Sequence, residues 1–174
     1  MVLDLLLKSV WFILPSYAAN MFPPFMKGVR PLDFGKNIGR YRVLGDGKTI
    51  EGTLAGIAFG VFIGSLQIQF HSYFQNLAGM ELMQHTLPLV FLLSFGAIFG
   101  DIIGAFIKRR LGLPKGYPAP LLDQLDFLLF ALLLSSSLVS VAMDMLAVLL
   151  VITPILHKAT NVVGYYIKLK KNPW

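Results

Sequence analysis

Five apolar blocks dominate the chain, separated by shorter polar stretches. A helix that crosses a bilayer needs roughly 20 mostly apolar residues at about 1.5 Å of rise each. The blocks at about 5–22, 53–74, 86–107, 121–141 and 145–166 meet or approach that length. The first is interrupted by Pro15 and Asn20, the second carries Gly56, Gly60 and Gly64, and the third carries Gly96, Gly100, Asp101 and Gly104. Met21-Phe22-Pro23-Pro24 follows the first block, where a cleaved signal peptide would show small residues, so this block is kept as a span. The pattern predicts an all-α integral membrane protein, a single membrane domain over 1–174 with five transmembrane helices and two longer polar loops, 23–52 and 108–120. Glycine at every fourth position in the second block predicts a close helix–helix contact. There is no internal repeat, low-complexity tract or heptad pattern.

Composition agrees with the pattern. The chain has 174 residues, 56% hydrophobic and 14% charged, whereas soluble domains average about 45–50% and 25%. So little polar surface cannot coat a water-facing globule, and a single domain of this length excludes a transporter made of two large repeated halves. The absence of cysteine excludes a disulfide framework, a zinc-thiolate site and a thiol nucleophile.

The net charge of +6 is informative through its placement. Loop 23–52 holds Lys27, Arg30, Lys36, Arg40, Arg42 and Lys48; loop 108–120 with its leading edge holds Lys108, Arg109, Arg110 and Lys115; the end of the chain holds Lys158, Lys168, Lys170 and Lys171. Fourteen of the fifteen basic residues thus fall on one side of a five-span arrangement, with only Lys8 toward the other. Positively charged loops stay inside, so the N-terminus is expected outside, the C-terminus in the cytoplasm, and the protein in the cell membrane with its working face cytoplasmic. The outer connections, near 75–85 and 142–144, are too short to form a domain. Their His71, His85, Glu81 and Asp144 suggest no site.

Acidic residues inside apolar blocks mark the chemistry. Asp101 lies roughly 10 Å inside the basic boundary at helical rise, a costly depth unless it faces a polar cavity, a partner or a metal. An ion pair with Lys108 or a neighbouring helix is the plain alternative. Asp123 and Asp126 follow at i and i+3, on one helical face where the fourth block begins. Like charges there repel unless a cation lies between them, and three convergent carboxylates suit magnesium, a hard ion that keeps coordination room for water and phosphate. Helix capping by Asp123 would explain one of these carboxylates and leave Asp126 unexplained. Loop 23–52 adds glycines around Lys48-Thr49, where backbone amides approach phosphates closely. The P-loop frame fails, because Tyr41 and Arg42 stand where its first glycine belongs. A basic loop resting on anionic headgroups is the bland reading; a phosphate cavity shared with loop 108–120 is the sharper one. Asn20 either bonds another helix or reaches this polar site, and His157 and Asn161 read as packing or interface groups.

The stretch Gly100-Asp101, Lys108-Arg109-Arg110, Lys115 and Asp123-Gln124-Leu125-Asp126 resembles the signature region of CTP:phosphatidate cytidylyltransferases, in which a Gly-Asp on a membrane helix precedes Lys-Arg-Arg, a short loop and Asp-x-x-Asp. Gly47-Lys48-Thr49-Ile50-Glu51-Gly52 is similar to a second landmark of that family, Lys-Thr-aromatic-Glu-Gly. Small size, Arg30-Pro31-Leu32-Asp33 and Leu44-Gly45-Asp46-Gly47 look most like the archaeal branch, the CDP-archaeol synthases, over essentially the whole chain. The chain departs where the family's His-Gly-Gly is Pro118-Ala119-Pro120, where its Arg within the Asp motif is Gln124, and where no acid follows Lys115. The resemblance implies CTP and an isoprenoid glyceryl ether lipid phosphate as substrates, CDP-lipid and pyrophosphate as products, and Mg2+ as cofactor. It implies Asp101, Asp123 and Asp126 as metal ligands, with Asp123, Asp126 and Lys108 catalytic. Gly47, Lys48, Thr49, Glu51, Arg109 and Lys115 would hold the nucleotide, and Asn20, Lys27 and Arg30 the lipid phosphate. Membrane lipids are expected partners and nucleic acid is not; nothing in the sequence sets an oligomeric state.

Two rivals are weighed. A CDP-alcohol phosphotransferase needs Asp-Gly-x-x-Ala-Arg, but Asp46-Gly47 is followed by Lys48-Thr49-Ile50. A small channel or transporter would spread polar residues through the membrane thickness, whereas here they gather near one face.

Overall fold

A computed structural model describes residues 2–169, so the predicted tail cations Lys170 and Lys171 lie outside the described residues. Six helices carry the fold: α1 (Val2–Met21), α2 (Ile50–Gln69), α3 (His71–Ala78), α4 (Leu87–Arg110), α5 (Leu122–Ser135) and α6 (Met143–Tyr166). The all-α expectation needs one small amendment. Loop 23–52 contains a minimal antiparallel hairpin of β1 (Asn37–Ile38) and β2 (Tyr41–Arg42).

Helix α4 is the axis of the bundle. Its apolar side chains Leu89, Leu93, Ala97 and Ile98 are buried with Phe12 and Ile13 of α1, Leu128 and Ala131 of α5 and Leu149 of α6. Glycines set how closely the helices approach. A Cβ at Gly56 would fall 2.8 Å from the Ala19 carbonyl oxygen, and one at Gly60 would fall 2.7 Å from that of Pro15, so the predicted contact seats α2 against α1. Gly96 and Gly100 do the same for α5: a Cβ on either would lie 2.8 Å from backbone atoms of Ala131 or Phe127. With small residues the helix axes come close enough for dispersion contacts that lipid tails cannot replace.

Pro15 explains an otherwise odd pair of buried polar groups. It has no N–H, so the Trp11 carbonyl loses its partner within α1; Gln67 Nε2 donates to that oxygen at 2.8 Å. One residue on, His85 Nε2 donates to the Phe12 carbonyl at 3.1 Å. Trp11 Nε1 in turn donates to Met83 O at 2.8 Å, which ties down the connection before α4. His71 Nε2 likewise donates to Leu82 O at 3.0 Å, so both histidines tie this connection to backbone carbonyls.

Among the described residues four helical stretches, Val2–Phe25, Ile50–Gln69, Leu87–Arg110 and Met143–Tyr166, are long and apolar enough to cross a membrane. Their outward side chains, among them Leu54, Phe62, Val151 and Ile155, are exposed and apolar. The block predicted over 121–141 is helical only to Ser135, a length of about 21 Å. It stops there because Ser135, Ser136 and Ser137 donate to the carbonyls three residues back, at 3.2, 2.7 and 2.9 Å, in competition with the helical ladder. The block predicted over 53–74 likewise breaks at Phe70, and α3 turns away after it.

Candidate active site

A cavity of about 470 Å³ opens at the end of the bundle where loops 23–52 and 108–120 meet. Asp33 builds the wall that carries the Lys-Thr pair. Its carboxylate is buried and accepts from the amides of Gly35, Leu44 and Gly45 at 3.1, 3.0 and 3.0 Å and from Arg42 Nη2 at 2.7 Å. The Arg42 guanidinium, aided by those amides, holds the Asp33 carboxyl well below the usual carboxylate range. Arg42 also pairs with Asp46 at 2.8 Å. Arg110 donates to the carbonyls of Ile38 and Arg42 at 3.1 and 2.7 Å and lies over the Phe106 ring, which pins the hairpin to α4.

The strap that follows is fixed by backbone hydrogen bonds from Leu32 N to Lys48 O (2.8 Å) and from Ile50 N to Arg30 O (2.9 Å). Thr49 caps α2, its hydroxyl accepting from the Gly52 amide at 3.1 Å. Gly28 passes so close to the Thr49 side chain that a Cβ there would overlap the hydroxyl. The second loop comes in at Gly47, where a Cβ would stand 3.6 Å from Lys115 Cε. Gly47, Lys48, Thr49, Lys115, Asn20, Lys27 and Asp101 therefore line one cavity.

The acidic side chains are each already engaged. Asp101 accepts from Lys48 Nζ, 53 residues away, and not from Lys108. Lys108 instead donates to Asp123, whose other oxygen takes the Ala119 amide at 2.9 Å. Asp123 is not the cap of α5: Leu121 holds that position, at φ 66°, and gives no side-chain hydrogen bond. Asp126 is buried, lies within electrostatic range of Asp101, Lys48 and Asp123, and accepts from the Phe127 amide at 2.6 Å. Its other oxygen sits where a Cβ of Gly104 would be. Among the described residues, no three acidic or histidine side chains stand close enough to enclose a metal by themselves.

Three other predicted residues do not line the cavity. Arg30 pairs with Glu51 at 2.8 Å, its side chain 71% exposed. Arg109 donates to Pro114 O at 3.3 Å and so shapes loop 108–120. Conversely His157, read from sequence as a packing group, stands on the cavity wall beside Asn20. No spacing rule links α1 to a residue about 137 positions later, so only the fold reveals it.

A bundle of helices apolar enough to cross a membrane, with one end walled by lysines of two loops and by the Asp101 carboxylate of α4, defines a membrane protein with a charged cavity at that end. Comparisons with known proteins narrow this. A family model described as CarS-like, CDP-archaeol synthase, matches residues 2–174. The chain is 44% identical to the CDP-archaeol synthase of Methanococcoides burtonii (93% of this chain, 100% of that one). It is 43% identical to that of Pyrococcus furiosus (97% and 98%) and 45% identical to that of Pyrobaculum aerophilum (95% and 98%). A solved structure described as an intramembrane enzyme for archaeal membrane lipid biosynthesis superposes with TM-score 0.76 at 39% identity, over 90% of this chain and 94% of that one. The chain belongs to the CDP-archaeol synthase family.

Proposed function

We propose that this protein transfers CMP from CTP to the phosphate of an isoprenoid glyceryl ether lipid. A lipid phosphate oxygen attacks the α-phosphorus of CTP, the bond from that phosphorus to the bridging oxygen breaks, and pyrophosphate leaves with the electron pair. Both reactants are anions, so positioning and neutralisation of charge carry most of the catalysis. The observation that carries this reading is the convergence of Lys48, Thr49 and Lys115 from two loops upon Asp101 of a membrane helix. Backbone at Gly47 and the Lys48 and Lys115 ammonium groups bind and orient the triphosphate. Lys27 and Asn20 receive the lipid phosphate, and Lys108 and Arg109 keep loop 108–120 and its positive field in place. No general base is needed, because a phosphate monoester is largely ionised at neutral pH.

The donor chemistry fits magnesium. Three carboxylates on adjacent helices face two lysines, which leaves one negative charge unmatched, and magnesium needs only one or two carboxylates when phosphates supply the other ligands. One or two of Asp101, Asp123 and Asp126 would hold it together with the phosphates, since no three of them enclose a metal by themselves, and bound there it would offset charge on the triphosphate.

The orientation reading extends to five crossings in one membrane domain. Support comes from α6, which returns His157 to the same cavity that α4 reaches with Asp101; in this reading α5 and the 136–142 segment together carry the chain to the far side. With the basic loops inside, the cavity faces the cytoplasm, where CTP is dissolved.

Purified protein with labelled CTP, magnesium and the ether lipid phosphate should yield labelled CDP-lipid and pyrophosphate. Asp123→Asn retaining full turnover would overturn the assignment of the acidic residues; flux of a solute through liposomes with no CTP consumed would favour a transport role.

A further inference from the structure

Of the six cations in loop 23–52, Lys27 and Lys48 line the cavity, and Arg30 and Arg42 are held in ion pairs with Glu51 and Asp33. Lys36 and Arg40 are left over. Both are exposed, and neither side chain makes a hydrogen bond or ion pair among the described residues. They flank the β1–β2 hairpin, whose two-residue turn is Gly39-Arg40 with Gly39 at φ 61°, the connection that suits the twist of paired strands. Ile38 and Tyr41 face each other across the pair and share one side of it. Lys36, two residues before Ile38, falls on that side by strand alternation, whereas Arg42 turns the other way, to Asp33. A Cβ on Gly112 would stand 3.0 Å from the Tyr41 hydroxyl, so the second loop brings exposed Leu111 beside the same patch.

The place of the hairpin says what covers this patch. Phe91, Phe95 and Phe99 are exposed and stack in a row along α4, the outward side of a span. At helical spacing that row continues through Ile103 and Phe106 to Arg110. Arg110 lies over the Phe106 ring and donates to the carbonyls of Ile38 and Arg42. The hairpin is therefore seated where the lipid-facing side of α4 reaches its basic end, at the depth of the headgroups. Two unpaired cations among Ile38, Tyr41 and Leu111 complement a surface that is anionic outside and apolar just beneath. We propose that the β1–β2 hairpin docks on anionic lipids of the leaflet at the cavity end. Lys36 and Arg40 hold headgroup phosphates, while Ile38 and Leu111 enter the boundary between headgroups and chains. This docking is separate from the transfer reaction and holds whatever the cavity binds. It also steadies the cavity wall, because Arg42 links the hairpin to Asp33, whose carboxylate fixes Leu44 and Gly45 ahead of Lys48.

The chain has no cysteine, so Ile38→Cys accepts a single nitroxide in the full-length protein, held in lipid nanodiscs. Collision with oxygen, which is enriched in lipid, and with a water-soluble nickel chelate reports the depth of the label. In discs of phosphatidylcholine with a third of phosphatidylglycerol, oxygen should reach the label and the chelate should not. In discs of phosphatidylcholine alone the label should stand in water. Each cation near an anionic leaflet strengthens attachment roughly fivefold. Lys36→Gln together with Arg40→Gln should therefore lower the ratio of docked to free hairpin on the order of 25-fold. Raising the salt from about 0.1 M to about 1 M shortens the screening length from about 10 Å to about 3 Å and should release the hairpin with both cations in place. The salt result decides if the double variant fails to fold, and a nitroxide at Leu111→Cys should report the same depth from the second loop. Equal access of the chelate in neutral and anionic discs overturns the proposal, whether the label is wet in both or shielded in both. Dipolar broadening between labels would give the patch to a second copy of the chain and overturns it as well.

Discussion

Replacing Asp33 with Asn keeps the shape of the side chain and removes its charge. The carboxylate side chain is 1% exposed and pairs with Arg42 at 2.7 Å while three backbone amides point at it. An amide NH2 in its place would face one of those donors. A hydrogen bond to a charged group contributes about 1.5–3 kcal/mol, but the several bonds here are not additive. Removing one partner of a buried pair costs about 3–5 kcal/mol in total. Because Arg42 is 30% exposed, the lower end, about 3 kcal/mol, applies. The loss falls on the loop that presents Gly47, Lys48 and Thr49, since the helix core contains none of these residues. At 1.4 kcal/mol per tenfold, loop ordering weakens on the order of 100-fold; residual stability of the loop absorbs part of this, so the Kd for CTP should rise roughly 10- to 100-fold. Titration calorimetry reads that change. Trypsin reads the loop directly, with faster cleavage after Lys36 and Arg40, while helical circular dichroism stays as in the wild type. Wild-type CTP affinity together with wild-type protease resistance would refute the role given to Asp33.

Lys48→Met leaves Asp101 without its cation and the triphosphate without a contact; CTP binding should weaken at least tenfold, and affinity equal to the wild type would remove Lys48 from the site. Gly104→Ala puts a methyl group against the Asp126 carboxylate, an overpacking of about 1–3 kcal/mol; a lower melting temperature in detergent and loss of turnover are expected, and an unchanged melting curve would show that α4 and α5 are not in this contact. Burial holds the His85 imidazole below its ordinary value of about 6.5, so between the folded and unfolded values the unfolded chain binds more protons. Stability is then full above about pH 6.5 and declines as the pH falls; the melting temperature should drop from pH 7.5 to pH 5, and His85→Gln should flatten the slope, whereas an identical slope in that variant would clear His85 of the effect.

What the sequence made legible was whatever depends on local composition. Apolar length located every helix that fits the membrane, and the four-residue glycine spacing announced the α1–α2 contact. Asp101 stood out as a charge in an apolar block for the same local reason, whereas the α4–α5 contact at Gly96, Gly100 and Gly104 was not read from the sequence and shows only in the structure. What depends on chain crossing was not legible. Lys48 meets Asp101 across 53 residues, whereas the sequence offered Lys108, the nearest cation along α4, or an unnamed neighbouring helix only as the plain alternative partner. The end of α5 was hidden because serines are tolerated within an apolar block, and only their back-bonding shows that the ladder stops there. Glu51, which the resemblance placed in the nucleotide site, and Arg30, assigned to the lipid phosphate, instead pair with each other.

The pairing of carboxylates with lysines bears on how a charged site persists at the edge of a bilayer. An isolated carboxylate on a membrane helix is expensive, and each ammonium group beside it reduces that cost while raising its own. Lys48–Asp101 and Lys108–Asp123 are therefore local, nearly neutral units, and on the proposed function a triphosphate bound by Lys48 would compete with Asp101 for that ammonium group. Only the difference between phosphate–lysine and carboxylate–lysine attraction is then left to hold the nucleotide. Each carboxylate released by its lysine is in turn most favourably matched by another cation, which ties anion binding to divalent-cation binding by charge balance alone. The acidic side chains and the lysines therefore act as one set, and replacing a lysine should weaken the cation as well as the nucleotide.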